Sequence, residues 1–247
     1  MERKKNYIVT IVFLLSVFVA KPAYKTQIYN AYISNRMNDW QATIDKMEEN
    51  RETNTEFLLQ LINYQYGFIA WCIGNEKNET AEKYLKLAER NLEWLEKSKV
   101  SAATINAYKS AFYGFKIGLS PIKAPFLGPK SVNHSKLSME LDPSNPLGYI
   151  QYGNAQFYMP PVFGGSKKEA LKHFLKALKL MEAGNDISEN WNYLSLLALI
   201  GQSFEKTGQP AKAKMFYEKA LTTEPGFLFV KDELYPGILK KIKDLNE

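Results

Sequence analysis

Small residues recur along this chain at spacings that two crossing helices require. In LSLLALIGQSFEKTGQPAKAKMFYEKALTTEPGF (194–227), Gly201 is followed by Phe204 three positions on and Ala213 twelve on. Tyr217, Ala220 and Pro225 come next. Small side chains at 201, 213 and 220 let two helix backbones approach, and the aromatic at 217 fills the space beside the crossing. Gly208, Gln209 and Pro210 supply the turn between the helices. Proline sits well at the start of the second helix, where its missing N–H leaves no intrahelical bond unmade.

The same skeleton appears upstream in stretched form. Gly153 precedes Ala170 by 17 residues, with Phe174 and Ala177 following, so five residues are inserted at the turn. Gly114 precedes Ser131 by 17, followed by Ser135, Ser138 and Pro143, and Pro121 and Pro160 fall at equivalent places. Gly67 leads to Ala81 in 14, then to Leu85 and Ala88. A shorter hairpin precedes these four units, with Trp40, Ile44 and Met47 on one face. No stretch alternates with period two for long enough to form a strand. The units resemble the tetratricopeptide (TPR) helix hairpin. That resemblance implies an all-α fold: a right-handed TPR-like helical-hairpin solenoid, one superhelical domain over residues 24–247 in about eleven helices. The expected hairpins run about 28–50, 55–98, 101–143, 146–183 and 188–225, with a capping helix at 229–245. Each hairpin needs a neighbour to bury its apolar face, so the array is one cooperative body.

The stretch YMPPVFGGSKKEALKHFLKAL (158–178) could be taken for a phosphate-cradling loop. A phosphate loop of the Walker type needs G-x-x-x-x-G-K-[ST] after a strand, and here a helix precedes the glycines. Ser166 to Glu169 instead has the S-x-x-E form of a capping box, which opens a helix with Ala170, Leu171, Phe174, Leu175 and Leu178 on its apolar face. This proline-rich, Gly-Gly-containing turn resembles the inserted hairpin of exported bacterial TPR-like proteins. Periplasmic proteins associated with tripartite ATP-independent periplasmic (TRAP) transporters are among them.

The first residues differ from the rest. MERKKNY is basic and residues 8–20 are an uncharged run of thirteen, apolar apart from Thr10 and Ser16, the build of a secretory signal and short for a membrane span. Residues 1–23 therefore read as a signal peptide or N-terminal anchor, with Ala20 and Ala23 as candidate cleavage positions. The expected localisation is export to the periplasm or cell envelope, with peripheral or N-terminal membrane association left open. Over the whole chain 32 basic residues face 26 acidic ones, and beyond that segment the charges alternate along runs such as ETAEKYLKLAER, which reads as solvated helix faces and not as a nucleic-acid patch. Cys72 is the single cysteine, so no intramolecular disulfide can form. It lies in an aromatic helical stretch where a buried, inert thiol is expected.

Nothing in the sequence proposes a reaction. His134 and His173 are the only histidines, neither in a metal-binding spacing, and both read as surface side chains beside lysines. No catalytic residue, metal ligand or cofactor is expected, and the chain reads as a non-enzyme. In a TPR array the first helix of each hairpin lines the concave face, at positions three before, one after and four after the small residue. That rule selects Tyr64, Phe68 and Trp71 around Gly67, and Phe115 after Gly114. It selects Ile150, Asn154 and Phe157 around Gly153, and Gln202 and Glu205 after Gly201. Such a groove suits an amphipathic helix, an extended peptide or an apolar small molecule. The lysines and arginines that grip acidic peptide ends in other TPR clamps are missing at these positions. The same aromatics could instead be core between tightly wound helices, which is the usual meaning of an aromatic stripe at helical spacing. The function read from this is a non-catalytic protein-binding and assembly module of the envelope, a scaffold with a protein or peptide partner. The alternative is a transport accessory or carrier enclosing an apolar small ligand.

Overall fold

The computed structural model describes residues 24–52, 54–185, 187–245 and 247. The N-terminal segment read as a signal or anchor lies outside the described residues. Helices α1 (Tyr24–Ile33) and α2 (Met37–Glu49) form a first hairpin, and α3 (Thr55–Gly74) and α4 (Asn78–Glu96) a second. The third pairs α5 (Ala102–Leu119) with α6 (Ala124–Leu141), and the fourth α7 (Pro146–Tyr158) with α8 (Lys167–Ala183). Helices α9 (Trp191–Lys206) and α10 (Pro210–Thr223) form the fifth, and α11 (Tyr235–Asp244) closes the array. The result is an all-α helical-hairpin solenoid, with no strand among the described residues.

Local chemistry explains the boundaries. Asn54, Asn145 and Asn190 each accept backbone N–H groups in the first turn of α3, α7 and α9. Ser166 does the same for α8, accepting from the Glu169 N–H at 3.2 Å. The reciprocal half of the capping box is missing, because the Ser166 N–H donates to the Gln156 carbonyl. Gly208 turns the last hairpin with φ at +73°, a conformation L side chains resist. The expected capping helix begins as a π-helical segment, Phe229–Leu234, which runs directly into α11. The widening sits immediately before Pro236, which has no N–H to continue the ladder.

The repeat skeleton packs as its spacing implies in the last two hairpins. A Cβ on Gly153 would lie 2.4 Å from the Phe174 ring, and one on Gly201 would lie 2.2 Å from the Tyr217 ring. The third and fourth hairpins repeat each other at a period of 39. Tyr113 stacks on His134 with centroids 5.5 Å apart, and Tyr152 lies 4.5 Å from His173. Both histidines are therefore half-buried against tyrosines and not the surface side chains expected. Gly114 meets nothing, since its aligned partner is Ser135 and not an aromatic.

The second hairpin departs from the skeleton. Gly67 does not face α4. A Cβ there would lie within 2.9 Å of the indole rings of Trp40 on α2 and Trp191 on α9. The first and last parts of the solenoid thus touch. Tyr32 of α1 packs within 5.8 Å of Trp40, Trp191 and Phe227, and the Tyr29 hydroxyl donates to Glu224 at 2.9 Å. Two apolar cores result, one under the first three hairpins together with Trp191, the other under the last two. Helix α1 contributes to both. The chain fills much of its own concave face.

Candidate functional site

The rotation of α3 that brings Gly67 against Trp191 carries the neighbouring side chains with it. Phe68 is 1% exposed and meets the edge of Tyr84 on α4 at 4.9 Å. Tyr64 is buried, its carbonyl accepting from the Trp40 indole N–H at 2.9 Å. Ile150 and Phe157 are buried as well. Four of the nine groove candidates are buried, which corrects their reading as exposed groove contacts: Phe68 and Phe157 are core, while Tyr64 and Ile150, though buried, reach the wall of the cleft described below. Phe68 packs on Tyr84 of α4, and the Phe157 ring lies 6.4 Å from that of Phe174 on α8.

The remaining five keep partial exposure but do not form one stripe. Trp71 stacks on Phe68, with the Lys77 ammonium 5.0 Å from its ring centroid. Phe115 stacks on Tyr66 at 5.4 Å. Asn154 donates to the Tyr66 hydroxyl at 3.2 Å. Gln202 is half-buried, and Glu205 accepts from Lys241 of α11 at 3.2 Å. Tyr66, which the spacing rule passes over, is the point on which the first helices converge: α5 through Phe115, α7 through Asn154 and α9 through Trp191. Burial holds its hydroxyl pKa above the ordinary value, so Tyr66 remains neutral. Beside it, Gln151 Nε2 and Asn154 Oδ1 have no protein partner, a donor and an acceptor together.

One concavity opens between the N-terminal halves of these helices. A cleft of about 450 Å³ is lined by Asn63 and Tyr64 of α3, by Asn145, Leu147 and Ile150 at the start of α7, and by Trp191 and Asn192 at the start of α9. Lys25 and Glu189 stand with them. The floor is apolar and aromatic; side-chain amides supply much of the polar lining. Asn63 holds the wall together: its Oδ1 accepts from Trp191 Nε1 at 2.9 Å and Asn192 Nδ2 at 3.1 Å, while its Nδ2 donates to Tyr108 at 3.2 Å. Asn145 caps α7 and donates to Thr104 at 3.1 Å. None of these asparagines follows from the hairpin spacing. Their signal is that Asn145 and Asn190 each stand at a helix start.

Burial pushes the Cys72 thiol up to about 11, with Lys77 pulling weakly the other way. The thiolate nucleophile is thus suppressed at neutral pH. No group of three His, Cys, Asp or Glu able to hold a metal occurs among the described residues. Nor is any described helix long and apolar enough to cross a membrane.

The class follows from the fold: a helical-hairpin solenoid carrying a tetratricopeptide repeat. The tetratricopeptide repeat family model matches residues 194–227, which span nearly all of α9, α10 and the turn after them. Such repeats support a role in binding, usually of other proteins. No curated protein matches the sequence. Among solved structures, the HusA haemophore from Porphyromonas gingivalis is similar, with a TM-score of 0.58 and 18% identity over 74% of this chain and 92% of that one. BtubC from P. vanneervenii overlays less well, with a TM-score of 0.39 and 13% identity over 83% of this chain and 75% of that one. At that identity the likeness to HusA is one of fold.

Proposed function

We propose that this chain is a non-catalytic binding and assembly module of the cell envelope, exported by its N-terminal segment. It holds an extended segment of a partner protein in the cleft between α3, α7 and α9. The composition of that cleft carries the reading: an apolar floor for side chains, with amide groups at the level where a peptide backbone would pass. Side-chain amides offer donors and acceptors together, as a peptide does.

Because Cys72 is buried, a cysteine placed at the exposed cleft residue Gln60 can be modified alone. In Gln60→Cys, a bulky maleimide cap should abolish co-purification of the partner from the native envelope fraction, and a methylthio cap should leave it intact. Equal capture with both caps would remove the cleft from the account. Export is tested separately by fusing residues 1–23 to a phosphatase active only outside the cytoplasm; an inactive fusion rejects it.

A second reading, a carrier or transport accessory for an apolar small ligand, is favoured by two observations. The fold overlays a protein described as a haemophore, and the cleft volume lies within the range of small-molecule sites. Native mass spectrometry of the gently purified chain separates the two: a co-purifying protein supports the first, bound small-molecule mass the second.

A further inference from the structure

The five most exposed large apolar side chains among the described residues all belong to two neighbouring turns. Ile122 (83%) and Phe126 (76%) stand at the turn between α5 and α6, and Tyr158 (70%), Val162 (85%) and Phe163 (68%) at the turn between α7 and α8. These are the two inserted turns. Both are held stiffly: Pro121 and Pro161 open short 3-10 segments, and the N–H groups of Phe163, Gly164 and Gly165 all bond back to Pro160 or Pro161. The apolar tips are presented by rigid backbone and protrude, instead of lining a recess.

Their electrostatic surroundings are mainly basic; the acidic group beside the second turn, Glu169, is itself paired with Lys172 at 3.8 Å. From Lys97 to Lys168 the sequence holds nine lysines against Glu140 and Asp142, although Glu96 and Glu169 flank that span and Lys109 and Lys116 pair with Glu96 and Glu89 of α4. Glu140 and Asp142 lie at the far end of α6, away from the two turns. Lys123, Lys130, Lys167 and Lys168 lie in or beside the turns themselves. Lys167 also lies over the Phe157 ring at 4.4 Å, and its pKa is lowered by burial first and by nearby Lys206 second. The last hairpin therefore adds its own cation to this edge. Glu76 and Glu79, on the adjoining turn between α3 and α4, are accompanied by Lys77 and Lys83.

We propose that this edge is a lipid-docking surface: Ile122, Phe126, Val162 and Phe163 insert into the interface of an anionic bilayer while the surrounding lysines neutralise its phosphates. Protruding apolar tips ringed by cations match a bilayer interface, which accepts isolated side chains without a complementary pocket. A protein partner would need a continuous, desolvated patch with recesses for its anchors. The inference rests on the envelope reading only for where such lipid is met. The partner cleft lies at the opposite end of α7, whose 13 residues span about 20 Å, so docking leaves it open.

The test uses the full chain with single introduced cysteines carrying an environment-sensitive NBD dye, since Cys72 is buried. Ile122→Cys and Val162→Cys report the edge, and Ser144→Cys, exposed at the opposite turn between α6 and α7, is the control. With vesicles of phosphatidylcholine containing phosphatidylglycerol, emission should rise several-fold at 122 and 162 and stay nearly flat at 144. The N-terminal segment can itself attach the chain to vesicles, but only docking by the edge makes the first two positions differ from the third. A flat response at 122 and 162, or an equal rise at 144, overturns the proposal. An equal response on pure phosphatidylcholine overturns its anionic part, and a rise without vesicles that grows with protein concentration assigns the edge to self-association instead. Adding Phe126→Ser and Phe163→Ser to the dye-labelled Ile122→Cys chain should cut its emission rise several-fold at unchanged helicity. Partner capture through the cleft without vesicles should be unaffected, so a failure here is distinct from a failure of the function proposed above.

Discussion

Glycines that look alike in the sequence should respond in opposite ways to a single methyl group. Gly153 and Gly201 sit against the rings of Phe174 and Tyr217, so Gly153→Ala or Gly201→Ala should destabilise the fold by roughly 1–3 kcal/mol through overpacking. Gly114 occupies the aligned place with open space around it, and Gly114→Ala should stabilise by about 0.5–1 kcal/mol through helix propensity alone. Urea denaturation of the three variants checks the sign. His134 offers a second test. Its Nδ1 donates to Asn106 Oδ1 at 2.7 Å. Its pKa is held below the ordinary value by burial first, then by Lys109 and Lys130, against the pull of Glu96. The unfolded chain therefore binds a proton near pH 6.5 that the folded chain declines, and stability falls as pH drops through that value. The thermal midpoint of wild type should decline between about pH 7.5 and 5.5, and His134→Gln should flatten that slope. An unchanged slope would locate the pH sensitivity elsewhere.

Helices α2, α3 and α4 are locked by one acidic side chain. Glu48 accepts from Gln65, Arg90 and Asn91, each at 2.7 Å, with Gln65 and Asn91 fully buried. Glu48→Ala strands the buried Gln65 Nε2, at about 1–3 kcal/mol, and leaves Asn91 Nδ2 only its 3.2 Å bond to Gln65 Oε1, so it should lower the urea midpoint strongly. Arg90→Ala, on the exposed side of the same carboxylate, should cost less than about 1 kcal/mol. What the sequence made legible divides along the same lines. The last hairpin could be read residue by residue, because Gly201, Gly208, Pro210 and Tyr217 all act within 17 positions. The Ser166 half of the next cap was equally readable, spanning three residues, whereas its reciprocal half was lost to the Gln156 carbonyl. The orientation of α3 was not, since it depends on Trp191, whose bond to Asn63 crosses 128 positions with no periodic signal. An aromatic stripe at helical spacing looks the same whether it faces solvent or another helix. That is why Tyr64 and Phe68 could be placed on α3 but not assigned to groove or core, and why Tyr66 and the cleft asparagines went unremarked.

A solenoid that closes on its own first helix works differently from an open one. An open array presents its concave face along its whole length. Here α1 and Trp191 occupy much of that face, leaving a cleft at one end of the first helices and a lysine-rich apolar edge at the other. Coupling between α1, α3 and α9 is the premise on which the cleft depends, for Trp191 and Asn63 form its wall. Trp191→Ala should cost roughly 3–5 kcal/mol if the chain relaxes little around the lost indole. Hydrogen exchange of the full-length chain, wild type against Trp191→Ala, measures that coupling directly. Slow exchange is expected in wild type through residues 28–33, the middle of α3 and the start of α9, with all three losing protection together in the variant. If α1 exchanges freely in wild type, or the variant loosens α9 alone, the concave face is open and the cleft described here is not the binding site.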